Sequence, residues 1–195
     1  MPETITLPEP DLKGSAALER LLAQRRSRRE FLSTPLSPEQ IGQLAWAAQG
    51  QTSRRKYRTA PSAGATYPLE LFVVTCDGLF GYLIDRHALR CVSTVDVRRE
   101  LAAAAWNQAF ISRAALTLVF AAKFSRTTQR YGQRGLRYVY MEAGHAAQNV
   151  HLQAEALGLG SVAVGAFDDD AVSEVLSLPA GLEPIYMVVV GHFAK

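Results

Sequence analysis

Between residues 136 and 157 the chain carries its longest helical pattern, and the make-up of that pattern limits what can surround it. Ala143, Gly144, Ala146, Ala147, Ala154 and Ala156 are small, so another element can come close to the backbone there. A long, Ala-rich helix of this kind is expected at the centre of a core, and Gly158-Leu159-Gly160 ends it. With 195 residues in all, the helix belongs to one domain spanning 1–195.

Around it the pattern predicts mixed elements. Residues 1–14 hold three prolines and read as an extended arm. Ser15 is placed to cap a helix over about 16–29, with Ala17, Leu18, Leu21 and Leu22 on one face. Ser37-Pro38-Glu39-Gln40 starts a second helix: Ser caps, Pro suits the first turn, Gln40 can close a capping box, and Gly50 stops it. A β meander follows, over 69–76, 79–84 and about 88–92, with Asp77-Gly78 as its first turn. Residues 94–107 read as a helix capped by Thr94, 115–122 as a buried strand, and 161–166 as another strand. Asp168-Asp169-Asp170 opens a helix and 184–193 is a final strand. A meander mixed with helices points to α+β, with a central, mostly antiparallel sheet flanked by helices, and not to a doubly wound sheet.

The charge is uneven. Residues 1–60 carry ten Lys/Arg against six Asp/Glu, the remainder eleven against twelve. The excess lies in Arg25-Arg26-Ser27-Arg28-Arg29 and Arg54-Arg55-Lys56-Tyr57-Arg58. Two local clusters on a near-neutral chain suit a specific anion site better than a nucleic-acid surface. The first residues lack a basic segment followed by an apolar one, and no apolar run reaches the ~18 residues of a membrane span. Cys76 and Cys91 stand outside any CxxC. A cytoplasmic protein with reduced thiols, no membrane and no nucleic acid is therefore expected.

Neither GxGxxG, GxxxxGK[ST] nor GxSxG is present. His145 and His151 are six apart, the wrong spacing for one helix face, and no metal site is expected. Glu142 and Glu155 are too far apart on one helix to work as a pair. Redox chemistry would therefore need a cofactor. Three features can bind one. Arg25, Arg26, Ser27 and Arg29 offer guanidinium forks and a hydroxyl for a phosphate, or form a solvated helix end where cations favour the dipole. Pro61-Ser62-Ala63-Gly64-Ala65-Thr66-Tyr67-Pro68 is a stiff, small-residue loop that can lie against a flat ligand, or is a connector. Val164-Gly165-Ala166 can expose backbone N–H groups at a strand end.

These segments, in this order, resemble the nitroreductase family of flavin enzymes, and within it the SagB/ThcOx-type dehydrogenases. The matching residues are Leu7-Pro8-x-Pro10, Arg25-Arg26-Ser27-x-Arg29-x-Phe31, Pro61 through Glu70, Tyr131-Gly132-x-Arg134-Gly135-x-Arg137-Tyr138, Glu142-Ala143-Gly144-His145-x-x-Gln148-Asn149 and Gly158-Leu159-Gly160. The resemblance implies an intertwined homodimer holding FMN at its interface. It places Arg25, Arg26, Ser27 and Arg29 on the phosphate and ribityl chain, with Lys195 as a further phosphate contact. Pro61, Ser62, Ala63 and Gly64 would line the flavin from the partner chain, Asn107 or Gln108 would meet the pyrimidine edge, and the N–H groups beside Val164, at Gly165 and Ala166, would sit near N5 and O4. NADH or NADPH would reduce the flavin, and a small molecule of nitroaromatic or quinone type would reoxidise it. Azoline-oxidising members of the branch use a Lys-Tyr pair as base. Here the matching pair is Arg137-Tyr138, and Arg is a poor base. Tyr138 remains as a candidate acid near the substrate.

Two other readings stay open on the sequence. One is an FMN-dependent dehydrogenase of a biosynthetic intermediate such as a peptide azoline. The other is a flavin- or nucleic-acid-binding protein with no catalytic role.

Overall fold

A computed structural model describes residues 3–194. Its centre is a seven-stranded sheet, built from β1 (Thr4–Thr6), β2 (Leu69–Thr75), β3 (Gly78–Leu83), β4 (Ala88–Ser93), β5 (Leu116–Ala122), β6 (Gly160–Val164) and β7 (Glu183–Gly191). The spatial order is β1-β4-β3-β2-β5-β7-β6, and every neighbouring pair is antiparallel. The expected α+β class with an antiparallel sheet is what the chain adopts.

β5 shows how the layers form. All seven of its residues are buried, so the strand reads as a continuous apolar run. Leu116, Leu118, Phe120 and Ala122 face one core, and Val119 and Ala121 face the other, as the two-residue period of a strand requires. Leu44, Ala45 and Ala48 of α2 (Pro38–Gln49) and Val139, Ala143, Ala147 and Val150 of α6 (Arg134–Ala156) fill the first core. The second is filled by Leu101 of α3 (Arg98–Ala104), Phe110 and Ile111 of α4 (Phe110–Arg113), and Val172 of α7 (Asp169–Val175). Helices thus cover both faces of the sheet.

The capping box forms as expected. The Ser37 hydroxyl accepts the Gln40 N–H at 3.3 Å, and the Gln40 side chain accepts the Ser37 N–H at 3.0 Å. At the head of α7, the Asp168 carboxylate accepts the Ala171 N–H at 2.8 Å. α6 is long and Ala-rich but only one of its faces is in the core. Leu136, Tyr140, Met141, Gly144 and His145 are exposed on the other.

Four expectations need correction. The first helix, α1, covers only Leu18–Gln24 and Ser15 does not cap it. From Arg25 onward the chain is extended, because Ser27 bridges to Ser161 and the Arg28 N–H bonds the Ser161 carbonyl at 3.0 Å. The arm is more than an arm: β1 pairs with β4, and His87 ties it down with Nε2 at 2.8 Å from the Pro8 carbonyl and Nδ1 at 2.8 Å from the Tyr82 hydroxyl. The helix assigned to 94–107 is the shorter α3, since the chain turns away at Trp106 and Asn107, both with positive φ. Residues 123–135, to which the sequence pattern assigns no element, contain α5 (Ser125–Tyr131). Cys76 and Cys91 are both free.

Candidate functional site

β6 organises the first half of the site. The Ser27–Ser161 bridge lays residues 25–28 along its first residues. In the extended segment the four arginines have different surroundings. The Arg26 guanidinium turns back to the Ala23 and Arg25 carbonyls at 2.9 and 2.8 Å, so it serves the C-terminal end of α1. Arg28 forms an ion pair with Glu155 and lies over the Phe193 ring, with 4.3 Å to its centroid. Arg25 and Arg29 have no carboxylate partner among the described residues. Arg25 sits near enough to buried His151 to help depress its pKa, while Arg29 lies 5.9 Å from the Phe110 centroid. Two uncompensated cations beside an exposed Ser27 could hold an anion.

At its far end β6 stops at Val164, which is buried, and Gly165 and Ala166 are exposed beyond it. Their N–H groups meet no acceptor among the described residues. Gln108 is held against them: its Nε2 donates to the Ala166 and Ala105 carbonyls, each at 2.9 Å, leaving Oε1 free to accept. Asn107 is exposed next to it in the left-handed conformation. One strand therefore links the cationic end to an amide and two unused N–H donors. Lys195 lies outside the described residues.

The second half stands apart. Pro61 and Gly64 are exposed, and Ser62 and Ala63 are half-buried. Internal bonds hold this loop: the Ser62 hydroxyl accepts the Tyr67 N–H at 2.9 Å, and Thr66 shares a hydrogen bond with Thr127 at 2.8 Å. Arg130 donates to the Gly64 carbonyl at 3.1 Å. Among the described residues no hydrogen bond joins 61–66 to 25–29, 107–108 or 164–166. Gly64 has φ +58, and a Cβ there would lie 2.5 Å from the Tyr131 hydroxyl oxygen and 2.7 Å from Arg130 Nη1. Gly64→Ala is expected to cost about 1–2 kcal/mol from the left-handed backbone alone, with displacement of Arg130 adding to it. A lowered melting temperature of the purified variant is the readout, and an unchanged one would show the loop free to rearrange.

Tyr138 is half-buried and packs edge-on against Tyr131, with ring centroids 5.2 Å apart. Arg137 is exposed beside it. The basic run 54–58 splits: Arg54, Arg55 and Lys56 are exposed, but Arg58 is half-buried.

Residue spacing did not reveal the group behind the loop. Glu142 is 3% exposed, and its Oε1 has no hydrogen-bond partner. Burial pushes its carboxyl up to about 7, with the Ser62 hydroxyl and the Arg58 cation offsetting part of that effect. His151 is also buried, with Nδ1 2.7 Å from the Ser161 hydroxyl oxygen. Burial and then Arg25 push it down to about 4. No group of three or more His, Cys, Asp or Glu among the described residues could hold a metal ion, and no described helix is long and apolar enough to cross a membrane.

The assembled groups suit a ligand with an anionic end and a flat body with a polar edge. The cations and the hydroxyl could meet the anion, and the N–H donors and the amide could meet the edge. The Ser161–His151 hydrogen bond beside them is buried.

A family model described as the nitroreductase family matches residues 22–192. The chain is 43% identical over 198 residues to a candidate nitroreductase of Methanocaldococcus jannaschii, with 98% of each protein covered. It is 29% identical over 126 residues to the FMN reductase (NADPH) of Bacillus subtilis, covering 57% of this chain and 51% of that protein. Among solved structures, a candidate nitroreductase of Ralstonia eutropha superimposes with a TM-score of 0.90 at 32% identity, covering 98% of this chain and 90% of that one.

Proposed function

Since the chain belongs to the nitroreductase family, we propose that it is an FMN-dependent oxidoreductase that takes reducing equivalents from NADPH or NADH and passes them to a small nitroaromatic or quinone acceptor. The observation that carries this reading is the one-strand link from Arg25, Ser27 and Arg29 to the free N–H groups of Gly165 and Ala166. The residues present fit FMN. Its phosphate needs cations without partners, and Arg25 and Arg29 are such cations. Its ring needs donors and an acceptor at one edge, and Gly165, Ala166 and Gln108 supply them. The Bacillus subtilis relative's name, an NADPH-dependent FMN reductase, supports the same cofactor and reductant.

FMN, when bound, supplies the ring atom that accepts hydride from the nicotinamide and returns it to the acceptor. The protein's share is binding and orientation. Arg25 and Arg29 would hold the phosphate by charge-assisted bonds. The N–H groups of Gly165 and Ala166 would offer fixed dipoles to the polar edge of the ring. Gln108 Oε1, left free by the bonds of its Nε2, would be the acceptor for the ring's imide N–H.

A homodimer completes the site. Among the described residues the loop 61–64 has no hydrogen-bonded link to the phosphate cluster of its own chain, and the partner's copy of the loop would lie over the ring. The exposed stripe Leu136, Tyr140, Met141 and Gly144 along α6 supports a helix-on-helix contact, because Gly144 has open space around it. Purified protein is expected to be yellow, to carry one FMN per chain, and to run as a dimer in light-scattering chromatography. Under anaerobic conditions NADPH should bleach the flavin, and a nitroaromatic or quinone should restore it. Stable colour in excess NADPH and NADH would sink the reductase reading.

A further inference from the structure

The second basic cluster has no part in that site. Its Lys56 and Arg58, with residues of β2, β3 and α5, line an open cavity of about 420 Å³ in which none of the residues assigned to FMN takes part. Lys56, Arg58, Arg90 and Arg126 contribute four cations to it, against Glu70 and Asp85. The local balance is 4 − 2 = +2, and Arg126 already pairs with Glu70 at 2.7 Å.

Arg58 is the centre of this cavity. Its Nη1 donates to Gln49 Oε1 at 2.7 Å and to the Leu69 carbonyl at 3.1 Å, both neutral acceptors. Among the described residues nothing accepts from its Nε or Nη2. The guanidinium lies 4.5 Å from the Tyr67 ring centroid, which holds the fork flat. Burial lowers its pKa and the Glu142 charge partly restores it, yet among the described residues no carboxylate lies within salt-bridge distance of it. A half-buried cation with two unused donors on one edge is costly unless an anion meets them.

The walls define the rest of the ligand. Arg90 is paired across the sheet with Gly81, and a Cβ at Gly81 would come within 3.5 Å of its Nη2. At that ordinary contact distance Arg90 lies over the sheet beside Gly81, and it lines the cavity. Phe72, Tyr82, Leu83 and Ile84 give an apolar floor and side. Such a site suits a flat apolar body with one carboxylate. A strongly hydrated phosphate dianion would gain little from that floor.

We propose that this cavity binds a small aromatic or similarly flat organic carboxylate, with Arg58 receiving the carboxylate and Lys56 and Arg90 closing over it. The site stands whether or not the flavin reading holds, since its residues and its readout are separate.

The test is calorimetric titration of the purified protein, with whatever cofactor it carries, using benzoate, benzamide and inorganic phosphate as probes. Benzoate should bind at one site per chain without disturbing the flavin absorbance. Benzamide, which lacks the charge, should bind at least tenfold more weakly. Lys56→Gln with Arg90→Gln should weaken benzoate by tenfold or more, because each charge-assisted contact contributes roughly that factor or more. Both positions are exposed, so the double variant is expected to fold, as circular dichroism would check. Failure of benzoate to bind would overturn the proposal, as would equal binding by the double variant. Benzoate binding that shifts the flavin spectrum and ignores the double variant would place the ligand at the flavin and also overturn it. Binding of phosphate in preference to benzoate would overturn the carboxylate assignment.

Discussion

Replacing Arg25 and Arg29 together by Ala is expected to release FMN by a factor of a hundred or more. Each charge-assisted hydrogen bond contributes about 1.5–3 kcal/mol, and every ~1.4 kcal/mol is tenfold in affinity. The structure separates these two residues from their neighbours. Arg26 already serves carbonyls at the end of α1, and Arg28 already pairs with Glu155, so neither has a free fork to give. Arg26→Ala is therefore expected to change FMN affinity far less, while Arg28→Ala should lower stability by stranding the Glu155 carboxylate. Fluorescence titration of FMN into the apoprotein gives the dissociation constants. A melt of each apoprotein tells lost contacts from lost fold. A double variant that keeps full FMN occupancy would show that the phosphate lies elsewhere, and would leave Arg25 as no more than a charge near His151.

How much of this was legible in the chain depends on where each signal lies. The capping box at Ser37 and Gln40 is a local hydrogen-bond exchange, so four residues suffice to predict it. β5 was readable because burial on both faces makes it apolar throughout. α5, Ser-Arg-Thr-Thr-Gln-Arg-Tyr, has no apolar period and only Thr127 buried, so nothing in its sequence marks a helix. α1 ends early for a reason outside its own sequence. Arginines are good helix formers, but the bridge from Ser27 to Ser161 is made with a strand 134 positions later. In the site, residue types pointed to the phosphate cluster and the small-residue loop. They could not show which arginines were already engaged, since Glu155 and the carbonyls of α1 meet them only in the fold. Glu142 has no carboxylate partner at helical spacing, so nothing in its sequence neighbourhood marks it. Its burial behind Ser62 and Arg58 is a tertiary fact.

Glu142 and His151 should push stability in opposite directions as pH rises, and so mask each other. Burial raises Glu142 from an ordinary 4.5 to about 7. Between those values the folded chain holds a proton that the unfolded chain has lost, so stability falls as pH rises through the window. Burial and Arg25 lower His151 from an ordinary 6.5 to about 4. Over that range the unfolded chain binds the proton that the folded one refuses, so stability rises with pH. Each shift corresponds to about 3 kcal/mol, at ~1.36 kcal/mol per unit of pKa. The windows overlap from 4.5 to 6.5, where the two slopes cancel. Glu142→Gln keeps the size of the side chain and removes one slope. Relative to the parent it should gain stability progressively up to about pH 7, then stay about 3 kcal/mol more stable, or roughly 6–12 °C higher in melting temperature. His151→Asn, which can keep a contact to the Ser161 hydroxyl, should show its gain at the acid end, reaching its maximum at or below about pH 4. Difference curves taken at fixed protein and FMN concentration cancel the other carboxylates and any ligand linkage. If both difference curves are flat, the two groups titrate in the folded chain as they do in the unfolded one. Water would then reach both, and the orphaned Glu142 oxygen would be orphaned no longer.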